Sequence, residues 1–171
     1  MNEALAALAR FLSDRIRLSI DMRRHAAIES RLAPIIVECG AANLQDLVAR
    51  IVAGNDPSLG DRVIDAMVTC ETLFFRDRHP FEAMRTIVLP ALAERRRHLR
   101  RLRIWSAACA TGQEPYSLAM LLDEMSRSFL GWRVELVASD ISRGALATAR
   151  AGRYSQFEVQ RGLSTPMLLR H

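Results

Sequence analysis

The fold is decided by residues 106–117, "SAACATGQEPYS", which have the pattern of a strand that enters a tight turn and then a helix. The overlapping stretch "RIWSAA" (103–108) predicts a short buried strand, and "EPYSLAMLLDEMS" predicts the helix. A second strand follows in "WRVELVASD" (132–140), and then a helix, "RGALATARA", with Ser142 as its cap and Gly152 at its end. This half of the chain therefore alternates between strand and helix.

This alternation predicts a parallel sheet, in which ligands bind beyond the carboxyl ends of the strands. Gly112 and Asp140 both lie at those ends. The N-terminal half has a different, helical periodicity, with Leu5, Leu8 and Leu12 recurring at spacings of three and four. The predicted fold class is therefore α/β with an N-terminal all-α domain.

The predicted domain organisation has three parts. Residues 1–89 form the helical domain, and residues 90–102 form an arginine-rich linker or helix end. Residues 103–171 form the first part of an α/β domain whose sheet is Rossmann-like but incomplete.

The charge of the chain comes entirely from arginine: all 24 basic residues are Arg, and the formal net charge is +5. Six of these arginines lie in "ERRRHLRRLR" (94–103). One interpretation is a solvated helix end and linker; the other is an electrostatic platform for an anionic partner. No aromatic residue is interleaved with these arginines, so we expect no nucleic-acid partner.

Several classes of protein are disfavoured by composition. Cys39, Cys70 and Cys109 are widely separated and form no CxxC pair, so neither a disulfide framework nor a metal site is predicted. No apolar run approaches the roughly 20 residues of a membrane span, and the N-terminus lacks the pattern of a signal peptide. We therefore expect a cytoplasmic protein without direct membrane insertion.

The loop at residues 106–117 indicates the class of ligand. A phosphate-binding loop needs several glycines, whereas this one has only Gly112 and carries the negative charge of Glu114. Asp140 follows the second strand, where an acidic residue of nucleotide-binding folds bonds ribose hydroxyls. A ligand with a ribose, a positive charge and no phosphate fits both carboxylates, and S-adenosyl-L-methionine has these features. The alternative is that Asp140 is only a turn residue or helix cap.

Three motifs resemble the chemotaxis receptor methyltransferase family, CheR. They are "TCETLFFRD" (69–77), "IWSAACATGQEPYSLAM" (104–120), and "ASDIS" followed by "ALATARAGRYS" (138–155). The resemblance implies a small helical domain joined to an S-adenosyl-L-methionine-binding α/β domain. It also implies a methyltransferase of chemotaxis signal transduction that esterifies glutamate side chains on the cytoplasmic helices of methyl-accepting chemoreceptors and leaves S-adenosyl-L-homocysteine as product.

The resemblance also implies roles for individual residues. Thr72 and Arg76 would contact the methyl donor, Glu114 would hold its amino group, and Asp140 its ribose hydroxyls, beside the Gly112 turn. A guanidinium such as Arg76 can take a carboxylate in a bidentate pair. No catalytic acid or base is identified, because an ionised acceptor glutamate needs only alignment with the donor, with Arg76 assisting.

The aromatic residues near these motifs are predicted to serve packing. Phe74 and Phe75 are expected to anchor their segment in the core, and Tyr116 and Trp105 are expected to pack as well. The family often has Asn or His at the position of Cys70, so we leave Cys70 out of the site.

Members of the CheR family have longer sequences than this one, so we expect this chain to be truncated within the catalytic domain. An incomplete sheet leaves a strand edge and an apolar face uncovered, which favours self-association. Two other functions stay open: a non-catalytic receptor-docking module, and a basic nucleic-acid-binding protein.

Overall fold

The structure is a computed structural model that describes residues 2–171. The chain forms two compact units, which divide after Thr69; the second unit runs from Cys70 to His171. Each unit has its own buried apolar cluster.

The first unit is helical. Its described residues form α1 (Asn2–Ile16), α2 (His25–Glu38), α3 (Leu44–Ala53) and α4 (Pro57–Met67). Side-chain caps fix where two of these helices begin, because Asn43 accepts the backbone N–H of Asp46 and Asp56 accepts those of Ser58 and Leu59. The Asn43 cap therefore fixes Leu44 as the first residue of α3.

The core of the first unit is built from leucines at helical spacing. Leu8 and Leu12 of α1 pack with Leu32 of α2 and Leu47 of α3, and none of the four side chains is exposed to solvent. The spacing of four residues between Leu8 and Leu12 places both side chains on the same face of α1. The amphipathic pattern seen in the sequence thus forms this core.

The second unit alternates helices and strands. It contains α5 (His79–Ala83), a π-helical turn (Met84–Val88), α6 (Leu89–Arg95), β1 (Arg101–Ala107), α7 (Gln113–Glu124), β2 (Arg133–Ser139), α8 (Arg143–Ala151), α9 (Gln156–Gln160) and α10 (Thr165–Arg170). The predicted caps are confirmed at α8, where the Ser142 side chain accepts the N–H of Ala145 and Gly152 ends the helix at φ 60°.

Strands β1 and β2 pair in parallel, from Arg101 opposite Arg133 to Ala107 opposite Ser139. The α/β fold class and the helical N-terminal region are therefore confirmed. One face of the sheet carries Leu102, which is buried against Leu121 of α7. This packing brings the carboxyl ends of both strands to the same edge as the start of α7.

The opposite face of the sheet is exposed and mostly charged near the start of the strands. Glu135 of β2 forms ion pairs with Arg101 (3.3 Å), Arg103 (3.5 Å) and Arg133 (2.8 Å). The hydrogen bond from Arg101, followed by the charges of the surrounding arginines, holds the pKa of Glu135 below its usual value. These arginines are therefore strand residues with a carboxylate partner.

Trp105 lies on this exposed face, and the prediction that it packs in the core is wrong. Its surface is 70% exposed, and its indole N–H donates to Oγ of Ser139 (2.9 Å). Alternate residues of a strand point to opposite faces, and Trp105 falls on the face that also carries the arginines.

The compact units divide earlier than the predicted domain boundary at residue 89. Phe81 of α5 and Leu89 of α6 are buried in the second unit's core, so the helices between residues 79 and 95 pack with the sheet. The arginine stretch is correspondingly short: α6 continues to Arg95, and β1 already begins at Arg101.

Candidate functional site

The loop between β1 and α7 has an unusual backbone. Ala108 (φ 55°) and Ala110 (φ 49°) adopt the left-handed conformation, which is costly for residues with a Cβ, and Gly112 has φ 101°. The N–H of Cys109 donates to the carbonyl of Ser139 at the end of β2 (2.9 Å). The loop therefore turns directly beside the end of the second strand.

Asp140 joins this loop to the turn that follows β2. Its Oδ2 accepts the N–H of Ala110 (2.7 Å), and its Oδ1 accepts the N–H of Ser142 (2.9 Å). Asp140 thus has the role of a turn residue, which is one of the two interpretations of the sequence. This role does not exclude a ligand contact, because each carboxylate oxygen has two lone pairs and the residue is only half-buried.

Glu114 is held above the end of β1. It lies in the first turn of α7, where negative charge is favourable, and its Oε1 accepts a hydrogen bond from Oγ of Ser106 (2.7 Å). Ser106 is 2% exposed, whereas Glu114 is exposed. A buried strand serine thus orients a solvent-accessible carboxylate, a role that the sequence did not reveal.

The carboxylates of Glu114 and Asp140 both affect the pKa of the buried Cys109 thiol. Burial raises the pKa of Cys109, and the negative charges of Asp140 and Glu114 raise it further. Glu114 and Asp140 thus place two carboxylates near the ends of the adjacent strands, and negative charge there favours a cation over a phosphate. S-adenosyl-L-methionine fits these residues, because its sulfonium and ammonium groups are positive and it has no phosphate.

Gly112 is required by packing. A Cβ at this position would lie 2.7 Å from Oη of Tyr154 and 2.9 Å from Cβ of Ala149 on α8. The left-handed φ also favours glycine. The loop is therefore pressed against α8, and a contact between Gly112 and a ligand stays a prediction.

Tyr154 holds the loop in place. Its hydroxyl donates to the carbonyl of Thr111 (2.7 Å), and its ring makes edge contacts with Phe74 (5.0 Å between centroids) and Tyr116 (5.7 Å). Burial raises the pKa of Tyr154 to about 12, so the hydroxyl keeps its proton near neutral pH. Sequence reasoning assigned no role to Tyr154, although it lies in the motif "AGRYS".

The "TCETLFFRD" segment is tied to the first turns of α7. The N–H of Phe75 donates to Oγ of Ser117 (2.9 Å), and that hydroxyl donates to the carbonyl of Gln113 (2.6 Å). Phe74 is 2% exposed, which confirms it as an anchor. Phe75 is half-buried against the core, and with Asp77 it adopts a left-handed backbone.

Thr72 and Arg76 lie on this segment and away from its anchors. Thr72 is half-buried, and the Arg76 side chain is 56% exposed. The Arg76 guanidinium donates to the carbonyl of Glu71 (3.1 Å) and lies 3.9 Å from Oδ2 of Asp77. The structure thus brings Glu114 and Asp140 to one edge, whereas the contacts of Arg76 are within its own segment. The cofactor roles of Thr72 and Arg76 stay predictions.

Residues 2–171 contain neither a candidate metal site nor a candidate membrane span. No group of three or more His, Cys, Asp and Glu side chains in this range could hold a metal ion. Within the same range, no helix combines the length and apolar character needed to cross a membrane.

Comparison with known proteins identifies the family of the chain. Residues 70–171 match the family model described as CheR methyltransferase, SAM binding domain. The chain is 39% identical over 164 residues to chemotaxis protein methyltransferase Cher2 of Pseudomonas putida, a match that covers 94% of this chain and 59% of that protein. It is 41% identical to chemotaxis protein methyltransferase 1 of Pseudomonas aeruginosa, with the same coverage. A Vibrio parahaemolyticus chemotaxis protein methyltransferase is 38% identical over 91% of this chain and 56% of its own length.

The chain belongs to the CheR methyltransferase family. It spans between 56% and 59% of the length of these CheR relatives. The family match begins at Cys70, the residue at which the second compact unit begins. The CheR domain that matches is defined by S-adenosyl-L-methionine binding, so S-adenosyl-L-methionine is the cofactor of this domain.

Proposed function

We propose that the protein is an S-adenosyl-L-methionine-dependent methyltransferase that esterifies glutamate side chains on the cytoplasmic helices of chemoreceptors. The main support is the pair of carboxylates, Glu114 and Asp140, held at the ends of adjacent parallel strands by Ser106 and by backbone N–H groups. The relatives are named chemotaxis protein methyltransferases, which supports the choice of substrate. The proposal implies a cytoplasmic location.

In this proposal, residues of the chain bind the cofactor and orient it. Asp140 would accept the ribose hydroxyls with the lone pairs that Ala110 and Ser142 leave available, and Glu114 would accept the ammonium group. Arg76, more than half exposed, would pair with the carboxylate of the amino-acid end, and Thr72 lies on the same segment. The bound cofactor would supply an activated methyl group.

The acceptor glutamate needs no general base. An unperturbed glutamate has a pKa of about 4.3 and is therefore ionised at neutral pH, so one of its oxygens is ready to be methylated. The contribution of the protein is then alignment of the two reactants and exclusion of water.

Isothermal titration with S-adenosyl-L-homocysteine tests the site. We expect the 171-residue chain to bind it and Glu114→Gln to weaken binding, because the substitution removes the negative charge while its amide oxygen can still accept from Ser106. Asp140→Ala and Arg76→Ala are expected to weaken binding as well. Asp123→Ala is a matched control, since Asp123 also lies on α7 but pairs with Arg170 (2.7 Å).

The competing function is a docking module that associates with receptors without turnover. It is favoured if the folded chain binds chemoreceptor fragments but gives no heat with S-adenosyl-L-homocysteine. Equal affinity in the wild type, Glu114→Gln and Arg76→Ala would reject the assigned site.

Self-association is a second part of the proposal. Trp105 and Val137 are neighbours in register on the open sheet face and are 70% and 40% exposed. A second copy in an antiparallel arrangement would place its Arg101 end over Trp105, where a guanidinium is favourable on an indole ring. Sedimentation should detect a dimer that Trp105→Ala weakens and Leu130→Ala, at another exposed apolar residue, does not. A concentration-independent monomer would reject this arrangement.

A further inference from the structure

A groove of about 530 Å³ lies in the second unit, away from the loop that follows β1. Its apolar lining comes from Phe75, Phe81, Leu163 and Met167. Cationic or titratable side chains also line it: Arg78, His79, Arg85 and Arg161. We call this feature the basic groove; its chemistry is that of an apolar floor with a mostly positive rim.

The positive rim is only partly neutralised. Arg85 is paired with Glu124 (2.8 Å) and approaches Glu82 (3.8 Å), which is the one carboxylate in the groove lining. Among the described residues, the Arg78 side chain has no hydrogen-bond or ion-pair partner. Arg161 packs its guanidinium over the ring of Phe157, 5.4 Å from the centroid, and has no carboxylate partner among the described residues.

The wall of the basic groove is held firmly. A Cβ at Gly162 would collide with the carbonyl oxygen of Phe74, so the backbone of the 160–164 turn lies directly against the "TCETLFFRD" segment. Arg78 has a left-handed backbone (φ 38°) immediately before α5, which fixes where its side chain leaves the chain. The groove thus has a defined shape, and one of its walls continues into the segment that carries Arg76.

We propose that the basic groove binds an acidic amphipathic peptide segment, with carboxylates on Arg78 and Arg161 and an apolar side chain on the floor between Phe75 and Met167. Charge complementarity carries this assignment, because the rim offers two arginines without an acidic partner and its only carboxylate already has one. That the segment belongs to a glutamate-rich receptor helix rests on the function proposed above. The basic groove would then hold the substrate protein beside the cofactor-binding segment.

The test measures, by fluorescence anisotropy, the binding of a labelled helical peptide to the 171-residue chain. The peptide carries Glu at every fourth position, so that the Glu side chains share one face of the helix, and Leu on the neighbouring face. We expect Arg78→Glu and Arg161→Glu each to weaken binding by about tenfold at low ionic strength, and less as salt is added. Arg127→Glu is the matched control: it makes the same change of charge on an exposed residue of the second unit outside the groove lining. A peptide with Gln in place of Glu should bind more weakly than the Glu peptide.

Three outcomes would overturn the proposal. The first is that Arg127→Glu weakens peptide binding as much as the groove variants do, and the second is that the Gln peptide binds as tightly as the Glu peptide. The third is that a DNA duplex binds more tightly than the peptide and that Arg78→Glu and Arg161→Glu also weaken the binding of DNA. The first would indicate non-specific attraction to a basic surface, and the last a nucleic-acid site. Titration of the same samples with S-adenosyl-L-homocysteine keeps the two proposals separate. Loss of peptide binding with unchanged cofactor-product affinity identifies the groove, whereas absence of cofactor-product binding concerns only the methyltransferase function.

Discussion

Replacing Tyr154 by Phe removes a single hydroxyl from the residue that holds the loop after β1. The lost interaction is one hydrogen bond, from Oη of Tyr154 to the carbonyl of Thr111 (2.7 Å), and the ring contact with Phe74 remains. A neutral hydrogen bond contributes about 1 kcal/mol net. We expect the free energy of unfolding to fall by about this amount, as measured by urea denaturation.

The same change should weaken the binding of S-adenosyl-L-homocysteine. If the whole 1 kcal/mol holds the loop beside Asp140, the dissociation constant rises about fivefold, since about 1.4 kcal/mol corresponds to a factor of ten. Tyr116→Phe is the matched control, because the Tyr116 hydroxyl donates to the carbonyl of Ala149 on α8 and not to the loop (3.1 Å). The control should lose stability but keep its affinity in calorimetric titration.

Alkaline pH gives an independent measure of the same hydroxyl. The pKa of Tyr154 is raised to about 12 from the ordinary value of 10.0, so the folded state favours the protonated form. The resulting stability is fully present below pH 10 and is lost as the pH rises towards 12. In Tyr116→Phe, Tyr154 is the one tyrosine left, so tyrosinate absorbance should report its titration directly, at a pKa still raised by burial but lower than in the wild type because Tyr116 also raises it.

One combination of results would contradict this role of the Tyr154 hydroxyl. If Tyr154→Phe and Tyr116→Phe lose the same stability and both keep full affinity for S-adenosyl-L-homocysteine, Tyr154 contributes only to packing. An ordinary tyrosine titration in folded Tyr116→Phe would show that the hydroxyl is not buried against the loop.

The remaining predictions concern the glycine turn, the buried serine and the open sheet face. Gly112→Ala should lower the free energy of unfolding by at least about 2 kcal/mol, measured in urea, because it combines a strained backbone with a contact 2.7 Å from Tyr154; an unchanged midpoint would contradict the tight packing. Ser117→Ala should cost about 1–3 kcal/mol in the same assay, because the N–H of Phe75 loses its acceptor while the volume of the side chain hardly changes; an unchanged midpoint would show that this hydrogen bond does not stabilise the fold. In dilute, monomeric protein, acrylamide should quench Trp105 strongly because its surface is 70% exposed, and Trp105→Phe should remove the more readily quenched of the two tryptophan signals; weak quenching of the monomer would contradict the exposed position of Trp105, whereas quenching that weakens with rising concentration is expected if the proposed dimer forms.

Local features of the fold could be predicted because their physical causes lie within a few residues. Asn43 and Ser142 accept N–H groups three residues ahead, and Gly152 takes a left-handed φ at a helix end. The two strands could be predicted from short apolar segments, although β1 begins at Arg101 instead of residue 103. Periodicity alone did not show which face of β1 would be covered, so Trp105 was expected in the core.

The candidate site could be predicted in part. The positions of Glu114 and Asp140 at the strand ends follow from the order of strands and helices, because parallel strands end at the same edge. The residues that hold the site did not follow, since Tyr154 reaches Thr111 from far along the chain and Ser106 meets Glu114 only after the turn has formed. Such contacts depend on tertiary packing, which no local pattern encodes.

The two ends of the open sheet face differ in charge and in apolar character. At the amino ends of the strands, three arginines surround the single carboxylate of Glu135, whereas Trp105 and Val137 lie side by side towards the carboxyl ends. A cover from another chain would therefore be acidic at one end and flat and apolar at the other, whereas a second copy of this chain fits only in the antiparallel arrangement, with its arginines over the Trp105 ring and not over the arginines of the first copy. The two strands thus determine in which direction a covering element must lie. An engineered helix or strand for this face can be designed from that requirement.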